Sequence, residues 1–252
     1  MKRTPLVVAN WKMHGHVEWA KHYIHEFVNG LGWPGQCEIV LCAPYVFLPE
    51  LKVLLRATGL GLGAQNLHDS EQGAFTGEIS APMLKEFGCS YVVVGHSERR
   101  RMFGESDDFV AAKFAAALRN SLVPVLCVGE NEAERDAGIT EQVVQRQLDA
   151  VLKCCGIEAF ANGVIAYEPV WAIGTGVTAT PDQAQAAHAF IRKYIASHNK
   201  AGADYMRILY GGSVRAANAV ELANEPDVDG ALVGGASLVA KEFLAICAGF
   251  NK

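Results

Sequence analysis

The stretch Tyr167-Glu168-Pro169-Val170-Trp171-Ala172-Ile173-Gly174-Thr175-Gly176 decides how the chain is read. It follows Gly163-Val164-Ile165-Ala166, a short apolar run of the kind that forms a buried strand. Glu168 stands where that run ends, and Pro169 has no N–H with which to continue a sheet ladder. An apolar segment comes next, then two glycines around Thr175. Such a segment is stiff at one end and permissive at the other, which is the make-up of a hinged lid. A carboxylate under an apolar lid can act as a general base, because excluding water makes it more basic. These residues alone leave a second reading open: a strand-end glutamate paired with a lysine, beside an ordinary loop.

Outward from this stretch the same plan repeats. Apolar runs at 6–9, 38–43, 60–64, 91–94, 123–128, 206–210 and 230–233 each end in polar or glycine residues. Between the runs lie amphipathic segments, among them 19–28, 107–119, 140–153, 181–198 and 237–248. Thr180-Pro181-Asp182 marks a helix start, with Thr180 as N-cap and Pro181 in the first helical position. Eight runs in 252 residues give about 31 residues per unit, the size of one βα repeat. Continuous apolar strands alternating with helices predict an α/β fold with a parallel sheet covered by helices. Eight units favour closure into a (β/α)8 barrel over an open sheet. No linker or low-complexity segment interrupts the chain, so residues 1–252 are expected to form a single domain. The first turn, Asn10-Trp11-Lys12-Met13-His14-Gly15, lacks the glycine fingerprint of a dinucleotide site.

Half of the residues are hydrophobic, enough for a large core, and the net charge is −5. That charge argues against a general nucleic-acid or anionic-membrane binder, so a phosphate ligand must be held by local groups. No run approaches the ~18 apolar residues of a membrane span. The basic start, Met1-Lys2-Arg3, precedes an apolar run too short for a signal peptide. Seven cysteines, with no Cys-x-x-Cys spacing and with Cys154 beside Cys155, predict buried, inert thiols in a reducing cytoplasm. His22 and His25 share a helical face, but no third ligand is indicated nearby, so a plain surface helix is expected there.

The polar residues fall at the strand ends. Asn10, Lys12, Gln65, Asn66, His96, Glu98, Glu168 and Ser213 all lie where a run loses its apolar character. In a barrel these ends form one rim, which is where barrel active sites lie. Gly211-Gly212-Ser213 and Gly234-Gly235 follow the last two runs. Each is expected to open a helix, and exposed N–H groups at such turns suit a phosphate. Lys12 can neutralise an oxyanion or a phosphate, or it is a solvated lysine. His96 begins a short predicted helix whose N-terminus disfavours the imidazolium. It is then a neutral hydrogen-bond donor to a carbonyl, or a satisfied structural histidine. Arg99-Arg100-Arg101, flanked by Glu98 and Glu105, is expected to form ion pairs on the barrel surface. The loop 65–80 is long and polar, with Phe75-Thr76-Gly77 at its tip. It is expected to dock against another surface, a plain surface loop being the alternative.

A base, a neutral electrophile, a cation, a phosphate cradle and a lid specify proton abstraction beside a carbonyl in a small phosphorylated sugar. A lid that excludes water protects the enediolate from solvent and from loss of its phosphate. A Schiff-base aldolase would need a strand-end lysine where Glu168 stands, and a metal-dependent epimerase would need more His and carboxylate ligands. A barrel that only binds does not need Glu168, His96 and Lys12 together.

Five motifs sharpen this reading. Asn10-Trp11-Lys12-Met13, Tyr91-Val92-Val93-Val94-Gly95-His96-Ser97-Glu98-Arg99-Arg100, the stretch from Tyr167 to Gly176, Tyr210-Gly211-Gly212-Ser213 and Val233-Gly234-Gly235-Ala236-Ser237-Leu238 resemble the triosephosphate isomerase family. The resemblance runs in order from residue 6 to about residue 240, with no unit missing. It implies a TIM barrel that interconverts dihydroxyacetone phosphate and glyceraldehyde 3-phosphate in glycolysis and gluconeogenesis, with no metal and no cofactor. It implies that Glu168 moves the proton, that His96 polarises the carbonyl oxygens as neutral imidazole, and that Lys12 and Asn10 stabilise the oxyanion and orient the substrate. Gly174, Ser213, Gly234 and Gly235 would hold the phosphate, and Glu98 and Cys127 would support the site from behind. The family is usually homodimeric, with the loop around Thr76 completing the neighbour's site near Lys12 and His96. Two positions depart from the family pattern. His14 stands where Asn is common and bears on the interface. Val177 stands where Lys is common after the lid and bears on its hinge.

Overall fold

Each apolar run becomes a strand. In the computed structural model, which describes residues 3–32, 35–173 and 178–251, the eight strands close into one parallel barrel. They are β1 (Leu6–Asn10), β2 (Glu38–Ala43), β3 (Gly61–Ala64), β4 (Tyr91–Val94), β5 (Val123–Val128), β6 (Val164–Tyr167), β7 (Arg207–Tyr210) and β8 (Gly230–Val233). Sequence neighbours are sheet neighbours throughout, and β8 returns to β1 in the register Leu6↔Gly230 to Ala9↔Val233. A Cβ on Gly230 would fall 1.8 Å from the Leu6 carbonyl oxygen, so a glycine is required where the barrel closes.

Successive strand residues point to opposite faces, which explains why these strands are apolar without a break. Leu6, Val8, Val40, Val93, Val125 and Leu209 pack into the barrel interior. Val7, Ala9, Ile39, Leu41 and Val92 belong to the larger layer between sheet and helices. The helices Asp107–Arg119 and Pro181–His198 begin and end where the sequence places them. Thr180 caps the second through a reciprocal pair with Gln183. Two others run longer than their apolar periodicity, as Val17–Gly30 and Thr140–Cys155.

Three expectations are corrected. The segment 237–248 is not one helix: a 3-10 turn, Gly235–Leu238, precedes the helix Ala240–Phe250. The Ser237 hydroxyl and amide both donate to the Gly234 carbonyl, at 2.7 and 2.8 Å, which favours the tighter three-residue turn. The arginine triplet is not wholly a surface feature. Arg99 pairs with the buried Glu105 at 2.6 Å. Arg100 donates to the Gly95 and Cys127 carbonyls at 2.8 and 3.2 Å and pairs with Asp107. Buried carbonyls at strand ends need donors, and the guanidinium supplies several at once. The thiols are not all buried either: Cys154, in the last turn of its helix, is exposed, while Cys42, Cys89, Cys127 and Cys247 are buried. Among the described residues no helix is long and apolar enough to cross a membrane.

Candidate active site

The strand β6 delivers Glu168 to the rim. The Glu168 amide donates to the Val128 carbonyl at 2.7 Å, which extends the β5–β6 ladder by one step. Pro169 ends that ladder, and Val170–Ala172 coil into a 3-10 turn. The Glu168 side chain is only 2% exposed. Its Oε1 lies 3.0 Å from His96 Nε2, and its Oε2 accepts from the Ser97 amide at 2.8 Å. A buried carboxylate without such partners would cost several kcal/mol, on the order of the penalty for an unpaired buried charge.

His96 reaches this point from the far side of β5. It follows Gly95 in a left-handed turn (φ +67°), where a Cβ would lie 2.6 Å from Val110. It is also the N-cap of the helix Ser97–Phe103, with Nδ1 accepting from the Glu98 amide at 3.2 Å. With Nδ1 accepting, the proton of the neutral ring sits on Nε2 and points at Glu168. The sequence reading expects the helix terminus to govern the charge of this ring. The carboxylate governs it instead. Burial opposes the imidazolium, but the adjacent Glu168 outweighs burial and moves the His96 pKa up from its ordinary value. Burial likewise raises the Glu168 pKa, and His96 with the Ser97 amide outweighs it, so the carboxyl titrates below its usual range.

Lys12 stands opposite, with a left-handed backbone (φ +52°) that is strained for a residue bearing a side chain. Three contacts hold it there. The Asn10 Oδ1 accepts from the Lys12 amide at 3.0 Å, and Gln65 donates to the Lys12 and Cys42 carbonyls at 2.9 and 3.1 Å. The Lys12 ammonium pairs with Glu98 at 2.6 Å. A Cβ on Gly234 would come 3.1 Å from Lys12 Cε, so the bare glycine leaves room for the lysine stem.

Asn10, Lys12, His96, Glu168, Ser213, Gly234 and Gly235 line one cavity of about 380 Å³, with Gly211, Gly212 and His14 also on its wall. Glu98, expected behind the site, is the ion-pair partner of Lys12. Cys127 is fully buried and lies with Glu168 on a second cavity. Burial, then the Glu168 charge, pushes the Cys127 thiol well above its ordinary pKa, so it stays protonated. Neither glycine turn opens an α-helix directly: the helix after β7 starts at Ala216 with Arg215 as cap, and Gly235 opens the 3-10 turn. Gly174, Thr175, Gly176 and Val177 lie outside the described residues.

Two participants are absent from the sequence reading. The Ser97 contribution is a backbone amide, which any residue could supply. Glu130, at the end of β5, accepts from Tyr167 at 3.0 Å and from the Trp171 indole at 2.9 Å. It thereby ties Tyr167 and Trp171 to the end of β5, and Arg135 covers the Trp171 ring at 3.4 Å. Its position one strand before Glu168 was the available clue. Among the described residues, no three His, Cys, Asp or Glu side chains are grouped to hold a metal ion.

A family model for triosephosphate isomerase matches residues 5–250. A triosephosphate isomerase of Thiobacillus denitrificans is 54% identical over 245 residues, covering 97% of this chain and 98% of that one. One of Nitrosomonas eutropha is 52% identical over 247 residues, covering 98% of each, and one of Alcanivorax borkumensis is 51% identical over 248, also covering 98% of each. With the closed barrel, these matches over nearly the whole length show that the chain belongs to the triosephosphate isomerase family.

Proposed function

We propose that the chain interconverts dihydroxyacetone phosphate and D-glyceraldehyde 3-phosphate, an aldose–ketose isomerisation of glycolysis and gluconeogenesis, by moving one proton between adjacent carbons through an enediolate. The observation that carries this reading is the meeting of Glu168, His96 and Lys12 at one cavity whose other wall is made of glycine turns. The family gives this barrel its name, and the same acid–base pairing is its known chemistry.

The Glu168–His96 and Lys12–Glu98 contacts involve the groups that engage the substrate. His96 Nε2–H, now donated to Glu168, turns to the substrate carbonyl oxygen. The Glu168 carboxylate loses that donor, becomes more basic, and takes the proton from the carbon beside the carbonyl. The electron pair of the broken C–H bond forms the C=C of the enediolate, and its negative oxygen faces His96 and the Lys12 ammonium. His96 gives its Nε2 proton to the anionic oxygen and takes the hydroxyl proton from the other, Glu168 returns its proton to the neighbouring carbon, and the net reaction needs no oxidant and no cofactor. Backbone N–H groups around Ser213, Gly234 and Gly235, with Gly174 from the lid, hold the phosphate, and Asn10 orients the substrate. Glu98 and Cys127 back the site, the first by holding Lys12 and the second by filling space beside Glu168 as a neutral thiol.

The working unit is a homodimer. Met13, Val46, Phe75, Met102 and Phe103 are exposed large apolar side chains; Met13 adjoins Lys12, Phe75 adjoins Thr76, and Met102 and Phe103 lie on the helix after His96. Phe75 packs at a tilt against His68, ring centroids 4.1 Å apart, which stiffens the tip of the loop around Thr76 for docking. A second copy covering this face removes apolar surface from water and brings that tip to the neighbour's Lys12 and His96. His14 belongs to the same face. The cytoplasm suits seven cysteines that carry no disulfide.

Glu168→Ala is expected to lower kcat by about 10²–10⁴-fold, the usual worth of a positioned base, while the Kd of a phosphate-bearing substrate analogue stays within a few-fold. Steady-state kinetics with calorimetry checks this, and unchanged turnover removes Glu168 from its role. Binding such an analogue draws Glu168 from His96 and takes away the cause that raises the histidine. The His96 pKa, followed by ¹⁵N NMR titration, is therefore expected to fall on binding, and equal midpoints with and without ligand contradict the exchange of partners. Thr76→Glu is expected to shift sedimentation toward monomer and lower activity with it; a monomer with full activity contradicts the shared site.

A further inference from the structure

We infer that Gln147, on the helix Thr140–Cys155, is a positioning residue for Glu168 and acts through Gly129. Gln147 is 5% exposed and makes no contact with the proposed substrate cavity. Its Oε1 accepts from the Gly129 amide at 2.8 Å, and its Nε2 donates to the Gly129 carbonyl at 3.1 Å. One side-chain amide therefore satisfies both polar groups of a single residue.

The residues on either side of Gly129 turn the other way. The Val128 carbonyl accepts from the Glu168 amide at 2.7 Å, and the Glu130 carbonyl accepts from the Val170 amide at 3.1 Å. The segment Val128-Gly129-Glu130 is thus a rail: its outer edge is gripped by Gln147, and its inner edge carries the backbone on both sides of Pro169. The contact is close. A Cβ on Gly129 would fall 1.8 Å from the Glu168 carbonyl oxygen and 2.7 Å from its carbon. The Gly129 peptide lies directly on the Glu168 peptide, so a shift of one moves the other. Gln147, Gly129 and Glu168 also share the wall of a cavity of about 500 Å³, which gives the rail room to move once its outer grip is lost. An apolar side chain at 147 would leave a buried N–H and C=O unpaired and free the Gly129 peptide to rotate. Proton transfer between adjacent carbons is sensitive to such a displacement of the base.

The inference rests on the reading of Glu168 as the base, and kinetics separates the two. In Gln147→Leu, kcat is expected to fall about tenfold or more with KM within about twofold, because the phosphate turns after β7 and β8 are untouched. Gln147→Glu supplies the sharper readout and decides the matter if the leucine variant does not fold. A neutral carboxyl offers an O–H donor and a C=O acceptor, as the amide does. A carboxylate only accepts, and it faces the Gly129 carbonyl. The ratio of kcat in Gln147→Glu to kcat in the parent is therefore expected to rise as pH falls. A leucine variant with kcat within about twofold of the parent, a parallel loss in kcat and KM, or a pH-independent ratio for the glutamate variant overturns the inference. An inactive parent chain overturns the isomerase reading instead.

Discussion

A carboxylate with 2% of its surface exposed must be paid for by partners, and everything at the rim follows from how Glu168 finds them. Its two oxygens go to His96 Nε2 and the Ser97 amide, both from the turn after β4, while its own backbone belongs to β6. The strand between them, β5, sets the separation. Its end carries Val128 and Glu130, which bond to the Glu168 and Val170 amides. The parallel register of β4, β5 and β6 is thus what holds the two halves of this pair 3.0 Å apart.

The same economy governs Lys12. Its backbone sits in a sparsely populated region, held by Asn10 from below and Gln65 from the side. Strain of this kind costs about 1–3 kcal/mol and persists only where surrounding contacts over-determine it. Here it aims an ammonium into a cavity of an otherwise acidic protein. That ammonium rests on Glu98, and Glu168 rests on His96. Both charges are thereby aimed at one cavity by fixed partners, which keeps the reorganisation needed at the moment of reaction small.

Much of this was legible in the sequence because the signals were local. Eight apolar runs in 252 residues average about 31 residues per unit, the size of a βα repeat, and the Thr180 cap is written in three adjacent residues. The strand-end polar residues Asn10, Lys12, His96, Glu168 and Ser213 could be gathered onto one rim because a parallel barrel puts all strand ends on one side. What could not be read depends on tertiary partners. The inward turn of Arg100 is set by two buried carbonyls, one of them 27 positions away in β5. The break before Ala240 comes from the bond of Ser237 to Gly234. The Ser97 amide has no side-chain signature, and the direction of the His96 titration is set by a carboxylate 72 positions distant, which a local helix-terminus argument omits.

On this mechanism one shielded carboxylate, Glu168, carries a proton between neighbouring carbons on one face of the substrate. The most direct test is turnover of glyceraldehyde 3-phosphate in heavy water, with the hydrogens of the dihydroxyacetone phosphate product assigned by NMR. The account predicts deuterium at only one of the two hydrogens on the reacting carbon, together with a fraction of product that keeps the original hydrogen. Product without any deuterium would indicate a hydride shift, and deuterium at both positions would indicate an unshielded or two-faced intermediate; either result contradicts the account.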